Sequence, residues 1–264
     1  MTRTMHLPVD TKTTIKLVQF TDTHIFADPD ERFDGVDTAA TLKRIIEFAG
    51  TEEDWPPHLA LVTGDLVHDP VTKAYQRFYS LFGELEVPVC CLPGNHDDPD
   101  CMDAHLNSGT ISTTKIITAG NWRILLLNTW MRGTHAGHLP EEELNWLDTM
   151  LKKQSQGYAL ICLHHPPVSI ASPWMDAMAL DNPDDLFTVL DRYQHVKGLV
   201  WGHIHQEYTA QRKGVALYGT PSTCVQFTPH ADRYRRDDLA PACRWLQLGP
   251  GNEINTWVSY ADME

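Results

Sequence analysis

Six short apolar runs set the tightest limit on what this chain can fold into. They read IKLVQF (15–20), HLALVT (58–63), VPVCCL (87–92), WRILLL (122–127), YALICL (158–163) and VKGLVW (196–201). Each is short and apolar at consecutive rather than alternate positions, as a strand covered on both faces must be. Segments of helical period lie between them. DTAATLKRIIEFA (37–49) sets Leu42, Ile45, Ile46 and Ala49 on one face, and VTKAYQRFYSLFGEL (71–85) does so with Tyr75, Phe78, Tyr79 and Phe82. LPEEELNWLDTMLKK (139–153) has Pro140 near its start, glutamates in its first turn and lysines in its last, the order a helix dipole favours. In NPDDLFTVLDRY (182–193), Asn182 is the expected N-cap and Pro183 the first helical residue. Alternating strands and helices predict an α/β fold.

Beyond residue 214 the pattern changes. VALYGT, TCVQF, CRWLQL and NTWVSY read as successive strands without helices between them. They predict a second, more antiparallel sheet packed on the first, with TPHADRYRRDDLAPA (228–242) as a polar surface loop. The expected organisation is one domain over residues 1–264: an α/β core in 1–213, and strands in 214–264 that complete the second sheet.

Composition narrows the class of partner. A formal charge of −14 argues against a nucleic-acid or anionic-membrane surface, which needs clustered Lys and Arg. No run approaches the roughly 18 apolar residues of a membrane span. The N-terminal MTRTMHLPVDTKTT lacks the apolar stretch of a signal peptide. The six cysteines form no C-x-x-C pair, and several sit in apolar runs, so they read as small buried hydrophobes in a reducing, cytoplasmic setting. Oligomeric state, monomer or homodimer, is open.

Five of the runs end in polar residues of one chemical kind. The first leads into Asp22 and His24, the second into Gly64-Asp65, the third into Asn95-His96-Asp97, the fifth into His164-His165 and the sixth into His203 and His205. A single histidine or Gly-Asp after a strand is ordinarily structural. Carboxylates, an amide and several imidazoles delivered to the C-terminal edge of one sheet, where sites form in open α/β folds, are not so explained. If the chain stays extended there, residues two apart face the same side, so Asp22 can aim with His24 and His203 with His205. Adjacent His164 and His165 should diverge, leaving one as a ligand. Oxygen and imidazole donors without thiolate suit Mn²⁺, Fe or Zn²⁺. Seven donors exceed the needs of one ion and suit two, bridged by a carboxylate.

The order D-x-H, G-D, G-N-H-D, H-x-P, G-H-x-H over residues 22–205 resembles the calcineurin-like metallophosphoesterase superfamily. The blocks GDLVHD and GNHD depart from its protein-phosphatase branch. TDTHIF, LPGNHDD, LHHPP, WGHIHQE and GTPSTCVQFTPH (219–230) are similar to class III bacterial 3′,5′-cyclic-AMP phosphodiesterases. The resemblance implies a four-layer αββα sandwich of two mixed sheets flanked by helices. It implies that Asp22, His24, Asp65 and His205 hold one divalent ion. Asp65 bridges to a second, which Asn95, His164 and His203 complete, and it selects His164 over His165. His96 and Asn95 are the implied catalytic residues, and His24, Asn95, His96 and His205 the substrate-facing ones. His203 and His205 then serve different ions, with Ile204 turned into the core.

The implied reaction is hydrolysis of cyclic AMP to 5′-AMP by in-line attack of a metal-bridging hydroxide, with Asn95 and His96 offsetting phosphoryl charge and His96 protonating the ribose 3′-oxygen. His68 or Asp69 is expected to orient a neighbour or to be plain loop. Residues 168–182, with Trp174, Met175 and Met178, form either a nucleoside wall or core. His135, His138, His195 and His230 receive no role. A relaxed phosphodiesterase acting on glycerophosphodiesters or 2′,3′-cyclic nucleotides is the alternative. An inactive metal-binding scaffold is opposed by the retention of His96 and every ligand position.

Overall fold

The computed structural model describes residues 4–261. In chain order it runs β1 (Thr4–Leu7), β2 (Ile15–Phe20), α1 (Thr38–Ala49), β3 (Leu59–Thr63), α2 (Thr72–Gly83), β4 (Val89–Leu92), α3 (Pro99–His105), β5 (Ile111–Ser112), β6 (Ile116–Ala119) and β7 (Trp122–Leu126). There follow α4 (Glu141–Lys152), β8 (Tyr158–Cys162), α5 (Pro173–Asp176), α6 (Pro183–Leu190), β9 (Val196–Trp201), β10 (Tyr208–Arg212) and β11 (Val215–Gly219). The chain closes with β12 (Gln226–Phe227), β13 (Arg236–Asp237), β14 (Ala242–Leu248) and β15 (Ile254–Tyr260).

Two mixed sheets result. One has the order β1-β6-β7-β8-β9-β11-β10 and the other β15-β14-β2-β3-β4-β5. The apolar runs are continuous because each strand faces two cores. On β3, Leu59 and Leu61 enter the layer between the sheets, while Ala60 and Val62 meet the side of α1 and α2. On β8, Leu160 and Cys162 face between the sheets, and Ala159 and Ile161 face the side of α4 and α6. Helix–sheet–sheet–helix is therefore the layering, the αββα sandwich expected. All six cysteines are free thiols, five of them buried.

The structure corrects the reading of the C-terminal strands. They do not build a sheet of their own. β11 joins β9 in parallel, while β14 adds antiparallel to β2, pairing Leu246 with Leu17, and carries β15 outside it. Their apolar residues complete cores that earlier strands leave open: Leu217 one helix-facing core, Trp245 the other, and Leu246 the layer between the sheets. TCVQF pairs only at Gln226 and Phe227, with β13 inside the expected loop. Asn182 is the N-cap residue of α6 as expected, but its side chain makes no capping hydrogen bond; the amide clamps Leu139, donating to the carbonyl at 2.9 Å and accepting from the N–H at 3.0 Å.

Candidate metal centre

β2, β3, β4, β8 and β9 are parallel strands or face one another across the sandwich, and their C-terminal ends converge. Asp22, His24, Asp65, His164, His203 and His205 are all buried there, with Asn95 and His96 partly exposed above them. His24 Nε2 lies 3.4 Å from His205 Nε2, which lies 3.3 Å from Asp22 Oδ1. On the other side, His164 Nε2 lies 3.2 Å from both Asn95 Oδ1 and His203 Nδ1. Asp65 stands between: Oδ2 is 3.7 Å from His24 and Oδ1 is 3.5 Å from His164. One carboxylate thus offers one oxygen to each group.

The convergence does not come from extended chain, and that expectation is corrected. Asp22, His24, Asp65, His203 and His205 have φ of 54°, 44°, 50°, 67° and 48°. This is the left-handed region, uncommon for residues with a side chain, though Asp and His enter it more readily than most. At the end of β9 the chain makes a tight turn, Ile204 N–H donating to Gly202 O at 2.7 Å, and Ile204 goes into the core. Strain of this kind collects at functional sites.

Glycines let backbone approach the cluster. A Cβ on Gly94 would sit 2.2 Å from Asp65 Oδ1, and one on Gly202 would sit 2.0 Å from Thr21 Oγ1 and 2.7 Å from Asp22 Oδ2. Gly64, at φ 97°, packs its Cα against the His164 ring, where a Cβ would be 2.3 Å from Nδ1.

The surrounding hydrogen bonds decide which ring nitrogens face inward. A carbonyl only accepts, so His164 Nδ1–H donates to Thr63 O at 2.8 Å, His205 Nδ1–H to Val225 O at 2.6 Å and His96 Nδ1–H to His68 O at 2.8 Å. In each neutral ring the Nε2 lone pair then points away from the scaffold. Asn95 Nδ2 donates to His135 at 3.0 Å, which turns Oδ1 toward His164. His164 Nε2, Asn95 Oδ1 and Asp65 Oδ1 are therefore three acceptors facing one another. The ion-pair partners of Asp22 and Asp65 are histidines. Such a buried set needs a cation, and its oxygen and nitrogen donors fit divalent metal.

The titration behaviour agrees. Burial opposes charge on His164, but the Asp65 carboxylate outweighs it and pushes the imidazole up to about 9, so without an ion the cluster draws in a proton. Burial, aided by His164, takes His203 down to about 3. Burial also disfavours ionised Asp65, yet the His164, His96 and His24 rings hold its carboxyl well below the usual range.

Several positions gain contacts that the sequence reading did not assign to them. His165, excluded as a ligand, bonds Thr129 Oγ1 at 2.7 Å and His135 O at 3.1 Å. Asp97 accepts from Gly94 N–H at 2.9 Å and Leu66 N–H at 3.1 Å, bracing the loops that carry Asn95 and Asp65; burial beside Asp65 pushes it up to about 7. The TPSTC stretch buttresses Asp22, whose carbonyl accepts from Ser222 Oγ at 2.8 Å. Phe227 stacks on His205 at 4.0 Å and 6°, and Trp174 and Tyr234 set edges against Phe227. Met175 is core and is unavailable as a nucleoside wall.

Comparison with known proteins decides the family. The calcineurin-like phosphoesterase profile matches residues 15–207. The chain belongs to the calcineurin-like phosphoesterase family. Relatives of this phosphoesterase include the 3′,5′-cyclic adenosine monophosphate phosphodiesterase CpdA of Pseudomonas aeruginosa, 37% identical over 99% of this chain and 95% of its own. The CpdA of Escherichia coli K12 is 37% identical over 96% and 92%, and the Nostoc 3′,5′-cyclic-nucleotide phosphodiesterase alr5338 is 39% identical over 90% and 89%. A dimetal phosphatase from Danio rerio shares the fold, with a TM-score of 0.62 at 15% identity, covering 94% of this chain and 99% of its own. Membership makes the chain a metal-dependent phosphoesterase. Among the described residues no helix is long and apolar enough to cross a membrane.

Proposed function

We propose that this phosphoesterase hydrolyses 3′,5′-cyclic AMP to 5′-AMP with two divalent ions, as a cytoplasmic enzyme of one domain. The observation that carries the dinuclear reading is Asp65, whose two oxygens face two separate donor groups. Asp22, His24 and His205 would hold one ion with Asp65, and Asn95, His164 and His203 would hold the other. Mn²⁺ and Fe suit this mixed set, and Zn²⁺ is compatible with it. Near full-length similarity to cyclic-nucleotide phosphodiesterases supports the substrate.

When bound, the ions supply Lewis acidity and lower the pKa of water, both of which in-line hydrolysis of a diester needs. The chain’s own residues do the rest. His135 keeps the Asn95 amide in one orientation. The His68 carbonyl takes up His96 Nδ1–H, which leaves Nε2 free to serve a phosphoryl group or the leaving ribose 3′-oxygen. Protonated there, His96 donates its proton as the P–O bond breaks. Phe227 prevents the His205 ring from swinging out of the cluster.

A hydrolysis panel tests this reading. Metal-loaded protein is offered 3′,5′-cyclic AMP, 3′,5′-cyclic GMP, 2′,3′-cyclic AMP, glycerophosphocholine and an aryl phosphodiester, with and without chelator. Chelator-sensitive turnover of 3′,5′-cyclic AMP to 5′-AMP is expected. Turnover of every ester except that one would remove the proposed substrate.

A further inference from the structure

A second group of imidazoles stands at the rim of the centre and contains no carboxylate. His24, His68 and His96 each offer one nitrogen, all within 4.8 Å of one another. Their ring centroids are 5.5 Å apart for His24–His68 and 4.9 Å for both His68–His96 and His24–His96. His68 lies in the loop after β3, with its ring between Phe26 at 4.4 Å and His96. The Nδ1 atoms of His24 and His68 are buried without a hydrogen-bond partner. His96 Nδ1 is committed to the His68 carbonyl, which leaves its Nε2 as the free nitrogen.

We propose that His24, His68 and His96 form a third metal site, which takes Zn²⁺ and inhibits the enzyme. Three imidazoles with an open fourth position are a zinc donor set, whereas Mn²⁺ prefers oxygen. At the full 4.8 Å separation a central ion lies roughly 2.8 Å from each nitrogen, so small rotations of the half-buried His68 and His96 rings bring it to the roughly 2.0–2.1 Å of a zinc–imidazole bond. Such an ion engages His96 and shares the His24 ring with the principal centre, taking its unpartnered Nδ1 while Nε2 faces His205 and Asp65; a ring bound at both nitrogens gives up its N–H proton. His68 is the member that serves this site alone. It meets His96 twice, by its ring and by a main-chain carbonyl; substitution leaves the carbonyl in place, and an aromatic replacement keeps a ring against His96.

The inhibitory role rests on the activity proposed above, but the site itself does not. Equilibrium dialysis of the full chain counts bound metal, and an aryl phosphodiester assay follows activity as Zn²⁺ rises. Wild type is expected to bind one zinc ion more per chain than it binds manganese ions, and to lose activity as that extra zinc ion binds. His68→Phe, which preserves the stack on Phe26, is expected to bind one zinc ion fewer than wild type and to lose this inhibition, read relative to the variant's own activity with manganese. His68→Gln repeats the comparison if the Phe variant does not fold. Equal zinc counts in wild type and both variants, or equal inhibition of all three, would overturn the third site. The zinc count is read whether or not cyclic AMP is hydrolysed, so failure of the substrate reading stays separate.

Discussion

The His68 carbonyl fixes which nitrogen of His96 faces the centre, and this separates the chemistry of His96 from metal retention. His96→Ala is expected to lower turnover by about 10²–10⁴-fold, the usual loss for a general acid, with metal content unchanged by elemental analysis. Gly202→Ala should do the reverse. Its Cβ collides with Thr21 and Asp22, so metal retention fails and activity falls with it. An unchanged metal content in Gly202→Ala would show that the Asp22 loop yields without moving the ligand. The residues that converge in the cluster were legible in sequence because their types and their places after apolar runs carry the signal. Their left-handed backbone was not, since a D-x-H or H-x-H spacing reads equally well as extended chain. His135 and Phe227 act through contacts far apart in sequence, and a single chain shows no pattern that pairs them with Asn95 and His205.

Strands were legible where both faces are apolar and illegible where they are short or polar. β2 and β9 occupy the predicted residues 15–20 and 196–201. β10, YTAQR, alternates between half-buried and exposed positions at a sheet edge, and β5 has two residues. The edge hairpin β10–β11 is tied to the end of α6 by charge: Arg212 meets the Asp191 carboxylate at 2.5 and 3.1 Å, and Lys213 meets it at 2.7 Å. Hydrogen bonds from Arg212 and then Lys213 lower Asp191 to about 2. An ordinary aspartate titrates near 3.9, so folding is favoured by the ionised group above that pH and loses the contribution as pH falls toward 2. Asp191→Asn is expected to melt below wild type at pH 6, with the gap closing between pH 4 and pH 2 in thermal scans. A gap independent of pH would mean that the carboxylate’s charge is not what holds the hairpin.

At the scale of the whole molecule, the sandwich was legible only through family resemblance, because which sheet a late strand joins depends on distant partners. β14 inserts beside β2, the first strand of the core, so the domain closes only when its C-terminal segment arrives. Metal should report on this closed state. Ions that bind the native chain alone stabilise it by about 2.7 kcal/mol per site at a hundredfold excess over Kd. Calorimetry is expected to show a higher Tm with Mn²⁺ and a lower one after chelation; equal values would dissociate the centre from stability. The five left-handed residues of the cluster give this a physiological meaning. At about 1 kcal/mol each, the low end for such backbone, their strain approaches the roughly 5–15 kcal/mol that holds a typical domain folded. A metal-starved cell would then lose more than catalysis, because chains left unloaded open more often and are removed by proteases, and the amount of enzyme present would follow the supply of its ions.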